Sequence, residues 1–413
     1  FAYRPFKDNK TVIRGGFGIF TMTNLGQLSF NITDIASSVV RTYTNADPVT
    51  GAPRYQFPSP FYAATTQQFI GSSDFYQNTP TNYRDPQSAQ WNLTVERELP
   101  GDMAVRVSYV GMNSYRMNLT VDLNQTPPST QAYDPSQKPY QNWNRILSSE
   151  NLGYANYQAL QTELNRRLKN GLSFQASYTW SKNLANYGGD APSGFAPEVI
   201  YGTAINDRFD LRDVRGNVAG TRRNRFLLSG LYELPFGKGK LFLSKGSPVL
   251  NGFFGGWQLS TVTLIQTGPF LTPTFSAGVI DPANINTFNR GSLLRPDRIG
   301  DGSIDNPTPD RYFDINAFTA PPANAGRVGN AGVGILVGPG TVAVSAGLSK
   351  TFAVTEKVKL RFETTFTNLP NHPNFAPPAV DVSTPATFGR TTTVQTAEGA
   401  GNRVGQVSLR LEF

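Results

Sequence analysis

Residues 160–181 read LQTELNRRLKNGLSFQASYTWS, two alternating arms about one turn. Before the turn, Leu160, Thr162, Leu164 and Leu168 oppose Gln161, Glu163, Asn165 and Arg167. After it, Phe174, Ala176, Tyr178 and Trp180 alternate with Gln175, Ser177, Thr179 and Ser181. Successive side chains of a strand point to opposite faces, so this period of two gives each arm one apolar and one polar row. Asn170-Gly171 suits a two-residue hairpin turn, because both residues accept positive φ. Leu160, Leu164 and Leu168 alone also fit helical spacing; the β-prone second arm and the turn favour a strand.

The pattern recurs on both sides. Trp91, Leu93 and Val95 oppose Asn92, Thr94 and Glu96, and Leu99-Pro100-Gly101-Asp102 turns the chain into Met103, Val105, Val107 and Tyr109, set against Arg106 and Ser108. Downstream, Phe226, Leu228, Gly230, Tyr232 and Leu234 share a face as far as Pro235-Phe236-Gly237. A connection rich in Gly and Lys leads to Trp257, Leu259, Thr261, Thr263 and Ile265. Val342, Val344, Ala346 and Leu348 are followed, after Thr355-Glu356-Lys357, by Val358, Leu360, Phe362, Thr364 and Phe366. An all-β chain of antiparallel hairpins is predicted.

Arm length separates a membrane barrel from a soluble sandwich. Several arms exceed the usual ~5–6 residues of a strand and reach the roughly 9–11 that a tilted strand needs to cross a bilayer. Aromatics fall near arm ends at Trp91, Tyr109, Trp180, Tyr232, Trp257 and Phe366, where interfacial girdles belong. Connections are short at 99–102, 169–171 and 355–357, and long near 30–88, 123–156, 184–221 and 270–335. That asymmetry matches the short turns and long outer loops of a transmembrane antiparallel β-barrel. Some of the long connections are expected to add strand above the membrane. The 270–335 stretch reads as a solvated loop, and its Asp297, Asp301, Asp305 and Asp310 lack calcium-loop spacing.

Composition agrees. The 413 residues include 39 Gly, 30 Pro, 28 Phe and 17 Tyr, one His and no Cys, with a formal net charge of +8. Aromatics suit strands, Gly and Pro suit turns, and the lack of Cys excludes a disulfide scaffold, thiolate metal sites and cysteine nucleophiles. No apolar run of about 18 residues exists, so no membrane helix is predicted, a test that strands escape. Lys and Arg are dispersed, with Arg222, Arg223 and Arg225 the tightest cluster, so no nucleic-acid partner is expected. His372 sits among turn formers in Asn371-His372-Pro373-Asn374 with no marked serine partner. Gly15-Gly16-Phe17-Gly18 lies in a strand-like segment, not before a helix, and is no dinucleotide loop. No catalytic residue, cofactor or metal is expected.

In a barrel, Gln175, Ser177 and Thr179 become candidates for the lumen face, and Phe174, Ala176, Tyr178 and Trp180 for the lipid face. The final arm carries Val407, Leu409, Leu411 and Phe413 against Ser408, Arg410 and Glu412. In a closed barrel it would pair with the first strand.

Several segments together carry a family resemblance. They are Phe1-Ala2-Tyr3-Arg4-Pro5 with Thr11-Val12-Ile13-Arg14 and the glycine run after it; Gln90-Trp91-Asn92-Leu93-Thr94-Val95-Glu96-Arg97; Tyr109-Val110-Gly111; Tyr178-Thr179-Trp180-Ser181-Lys182; Asp213-Val214-Arg215-Gly216-Asn217; Asn371-His372-Pro373-Asn374-Phe375; and Arg410-Leu411-Glu412-Phe413. In this order they resemble the C-terminal barrel of TonB-dependent receptors, specifically the Oar-like group, whose members often carry an N-terminal carboxypeptidase-regulatory-like domain. The resemblance implies a bacterial outer-membrane protein that takes up an unidentified ligand, powered by TonB-ExbB-ExbD. It further implies that Val407, Leu409, Leu411 and Phe413 form the signal read by the barrel assembly machinery, with lipopolysaccharide or outer-membrane lipid around the barrel. Complete members enclose a plug in 22 strands, whereas about 12 to 14 can be counted here. The chain is therefore expected to be the C-terminal portion of such a barrel, with plug and first strands absent. The alternative is a secreted or surface-located β-rich adhesion or fibre-forming protein without transport activity.

Overall fold

The computed structural model describes residues 1–21, 50, 52–53, 73–78, 80–131, 134–141, 143–186, 203–204, 207–275, 294–322, 325, 327, 329–355 and 357–413. Ten long strands carry the architecture: β1 (Thr11–Thr21), β2 (Gln87–Leu99), β3 (Met103–Asp122), β4 (Trp143–Lys169) and β5 (Leu172–Ala185), then β6 (Asn224–Glu233), β7 (Trp257–Gln266), β8 (Thr341–Ala353), β9 (Lys359–Thr367) and β10 (Val404–Glu412). Each pairs antiparallel with the next in chain order, and shorter strands bring the sheet to 14. This is the hairpin meander that the alternation predicts. The β4–β5 turn has Asn170 at φ 52° and Gly171 at φ 79°, as the Asn-Gly dipeptide requires.

Register turns the separate alternations into two continuous faces. Leu93, Tyr109, Leu160 and Trp180 are successive partners across β2–β5, and Ala176, Leu228, Thr263 and Val344 across β5–β8. Three residues along from the first of these rows, Glu96, Arg106, Glu163 and Ser177 form a row on the other face. The apolar face is uncovered: Tyr109 is 44% exposed, Trp180 52% and Leu409 65%. An uncovered apolar band across a whole sheet belongs against lipid. Trp91 and Gly111 are partners on it, and a Cβ at Gly111 would collide with the indole, so the glycine lets the ring lie on the neighbouring strand.

The structure gives the connections more order than the sequence reading did. Residues 143–156, inside the 123–156 connection, add strand above the band, as some of the long connections were expected to: they begin the 27-residue β4, which pairs with the 20-residue β3 beyond the apolar band. Backbone pairing suffices there, because a strand in water needs no apolar row. Asn124 closes that end, its Nδ2 donating to Tyr140 O at 3.0 Å and Trp143 O at 2.7 Å. The Gly- and Lys-rich connection 234–256 contains a helix, α1 (Pro248–Phe254). The described part of 270–335 is not simply solvated: Phe313, Phe318 and Ala331 pack with Leu336 and Phe388 into a core of their own. Its apolar residues are too sparse to show a period, and their partner comes from the β9–β10 connection. Finally, the sheet ends at Ala2–Tyr3 on one side and β10 on the other, and these do not pair. Residues 22–49, 187–202 and 276–293, within or beside the expected long loops, lie outside the described residues.

Candidate ligand-facing surface

The polar face of β1–β5 carries alternating charges in one ladder. Arg14 pairs with Glu96 at 3.2 Å, Glu96 with Arg106 at 2.8 Å, and Arg106 with Glu163 at 3.2 Å. Glu163 also accepts from Gln175 at 2.9 Å and Asn165 at 2.6 Å. Residues from Arg14 on β1 to Thr179 on β5 line one groove of about 550 Å³, so the sheet curls toward this face. Charges at membrane depth are tolerated when they are paired and face a cavity rather than lipid. Of the expected lumen-facing residues, Ser177 and Thr179 line this groove and Gln175 extends its ladder. Phe174, Ala176, Tyr178 and Trp180 occupy the alternate positions of β5, although Tyr178 also reaches the groove edge. Sequence alone left the carboxylates unpaired.

Across β6–β8 the same face changes character. Leu227, Leu264 and Ala343 are register partners there, and Ala400 packs on them. Glu398 binds Arg225 at 2.6 Å and accepts from Gln266 at 3.3 Å. The 397–400 segment is thus folded over the polar face at its loop end, and the Arg225 hydrogen bond holds the Glu398 carboxyl below its ordinary range.

The long connections are locked together above the sheet. In Asp213-Val214-Arg215-Gly216-Asn217, Asp213 forms an ion pair with buried Arg295, Val214 packs against Leu119 and Val121, and Asn217 Nδ2 donates to Gly334 O at 3.0 Å. A Cβ at Gly216 would strike Val333. Asp297 accepts from both terminal nitrogens of Arg327, at 2.5 and 2.8 Å, and from Asn330 N at 3.0 Å. Asp301 and Asp310 pair with Arg298 and Arg390. Among the described residues no group of three or more His, Asp or Glu is placed to hold a metal ion. His372 serves a turn: its Nδ1 lies 3.3 Å from Asn374 Oδ1.

The Asp297 clamp has a pH dependence. Hydrogen bonding from Arg327 holds its carboxyl below the ordinary range. A carboxyl depressed by folding stabilises above its unfolded value of about 3.9 and loses that contribution as pH falls through the folded value. Burial pushes Asp213 the other way, so its contribution has the opposite sign. Limited proteolysis across 294–340 should therefore show protection that weakens below about pH 4. Asp297→Asn should weaken it already at pH 7 and flatten the acid response. An unchanged acid profile in that variant would remove Asp297 as the cause.

An apolar outer face, a charge-paired inner face, short turns at one rim and long packed loops at the other define a transmembrane β-barrel of the bacterial outer membrane. The chain belongs to the outer membrane beta barrel domain family, whose model matches residues 1–406. No curated protein matches it. Among solved structures it is similar to the outer membrane transporter YddB from Escherichia coli, at 8% identity and TM-score 0.45, covering 99% of this chain and 39% of that one. The ferric-catecholate import receptor Fiu from E. coli K12 matches at 9% identity and TM-score 0.43, covering 100% and 34%. P. aeruginosa FpvA, solved with pyoverdine, matches at 8% and 0.42, covering 100% and 32%. The chain thus spans about two fifths or less of the length of these proteins.

Proposed function

We propose that this barrel is the passage of a TonB-dependent transporter or receptor, taking an unidentified ligand from the loop cluster along the charged inner face. The observation that carries the reading is the ladder Arg14–Glu96–Arg106–Glu163. A sheet that served only adhesion would have no use for alternating charge on its enclosed face. The resemblance to the Oar-like group supports energy supply through TonB-ExbB-ExbD, contacted by segments that precede the barrel in such receptors. Lipid and lipopolysaccharide are the proposed surroundings of the apolar face. The test compares depletion of medium components by strains with the full-length gene, without it, and without TonB function. At least one component should be taken up only by the first strain. Identical depletion in all three would overturn the reading.

We also assign an assembly role to β10. Its apolar row, Val407, Leu409 and Leu411 with Phe413 beyond it, is exposed, and among the described residues β9 is its only strand partner in the sheet. An unpaired strand edge is a template on which another strand can add. Phe413→Asp in the full-length protein should lower the folded, heat-modifiable fraction in the outer membrane several-fold while leaving ligand binding by the folded fraction intact. Wild-type membrane levels would discard the assignment.

A further inference from the structure

The connection 234–256 between β6 and β7 presents apolar side chains to its surroundings. Leu241 is 78% exposed, Val249 67%, Phe253 69% and Phe254 55%. Its charged residues are Lys238, Lys240 and Lys245; Lys240 Nζ pairs with Glu233 at the end of β6 at 2.7 Å, and Lys238 and Lys245 are exposed. The segment is built, not slack. Gly237 N donates to Phe242 O and Phe242 N to Pro235 O, both at 2.9 Å, and the Phe236 and Phe242 rings lie 5.6 Å apart. Ser247 caps α1 by accepting from Leu250 N at 3.3 Å, and Asn251 Nδ2 donates to Gly246 O at 2.8 Å. Gly237, at φ 116°, packs so closely on the end of α1 that a Cβ there would stand 2.8 Å from Gly255 Cα.

Register fixes which side of the sheet α1 occupies. Trp257, Lys350, Phe362 and Leu409 form one row of the apolar face. From that row Trp257 Nε1 donates to Phe253 O at 2.9 Å, and Lys350 Nζ donates to Phe253 O at 3.1 Å and also to Gly252 O. Both donors are on the lipid side, so the C-terminal end of α1 lies over the outer surface, not the lumen. Phe352, Leu360 and Leu411 continue the apolar face beyond that row toward the same rim. The helix is therefore level with lipid-facing side chains. Its terminal carbonyls, the negative end of the helix dipole, also explain how an ammonium is tolerated on a lipid-facing row.

We propose that α1 and the lysine-bearing loop before it form an interfacial anchor in the leaflet at the short-turn rim. Val249, Phe253 and Phe254 would lie among the acyl chains, and Lys238 and Lys245 would meet the phosphates of anionic phospholipid, while Lys240 is held by Glu233. Apolar area continuous with the lipid-facing band, together with exposed basic charge beside it, is the combination that holds an amphipathic segment in such an interface. The proposal rests on the lipid-facing reading of the outer surface. This chain has no cysteine, so with any cysteine outside it replaced by serine a single fluorophore can be placed through Phe253→Cys, Val249→Cys or, as control, Ala176→Cys. The full-length protein would be reconstituted in phosphatidylethanolamine–phosphatidylglycerol vesicles. Labels at 249 and 253 should be quenched by spin-labelled lipid and be several-fold less accessible to aqueous iodide than free dye. Changing Lys238 and Lys245 together to Gln should raise iodide access at 253. Iodide quenching at 249 and 253 equal to free dye, with the 176 label still quenched by lipid, would overturn the anchor alone. An iodide-accessible 176 label would instead overturn the lipid-facing reading, and the anchor with it.

Discussion

Ala176→Arg is expected to lower folding stability in a bilayer by about 2–4 kcal/mol, the range for Arg on the lipid face near the midplane. Gln175→Arg, one residue earlier, should change it by less than about 1 kcal/mol, as lumen substitutions tune selectivity instead. Ala176 lies between Leu164 and Leu228 in register, midway between Leu172 and Trp180 along β5. A guanidinium there would have lipid on its open side. Gln175 already bonds Glu163 at 2.9 Å, so an arginine in its place gains a carboxylate within reach. Urea titration of vesicle-inserted full-length protein, read by the heat-modifiable band on gels, measures both. Equal losses from the two variants would mean that the faces of β5 are wrongly assigned.

The strands were legible because lipid forces one row of each to be apolar, and residues 160–181 display both rows and the turn between them. The ladder was not read from the sequence, which left its carboxylates unpaired. Glu96 and Arg106 flank a short turn, and the hairpin register brings them together. Arg106 and Glu163 lie 57 residues apart, and Arg14 and Glu96 lie 82 apart. Their meeting depends on registers across connections whose length sequence does not constrain. Leu227 and Leu264 broke the expected polar row for a similar reason, since what covers them is Ala400, far along the chain. The helix α1 was hidden by its own brevity, at 7 residues with Gly252 inside it and Pro248 at its start. Stretches outside the bilayer follow no periodic constraint at all. Their order comes from single polar side chains that bind several backbone groups, and such residues look like ordinary loop asparagines in a sequence.

Asn374 is the clearest of these, and Asn374→Ala is expected to cost about 3 kcal/mol or more by stranding buried backbone groups, each worth roughly 1–3 kcal/mol. The side chain is 1% exposed. Its Oδ1 accepts from Val342 N at 2.7 Å, and its Nδ2 donates to Val342 O and Ala400 O, each at 3.0 Å. One amide thus ties the start of β8 to the segment folded over the inner face. Asn368, fully buried, makes the companion brace, donating to His372 O and Gly401 O, both at 2.8 Å, and accepting from His372 N at 3.0 Å. The conspicuous member of Asn371-His372-Pro373-Asn374 is the sole histidine, yet among the described residues its ring makes only the 3.3 Å polar contact to Asn374. His372→Ala should therefore cost under about 1 kcal/mol, because the backbone bonds at that position survive. Protease cleavage within 394–403 should accelerate sharply in the Asn374 variant and little in the His372 variant, with urea midpoints in the same order. A His372 variant as weak as the Asn374 variant would show that the motif is held by the imidazole and that the amide brace is secondary.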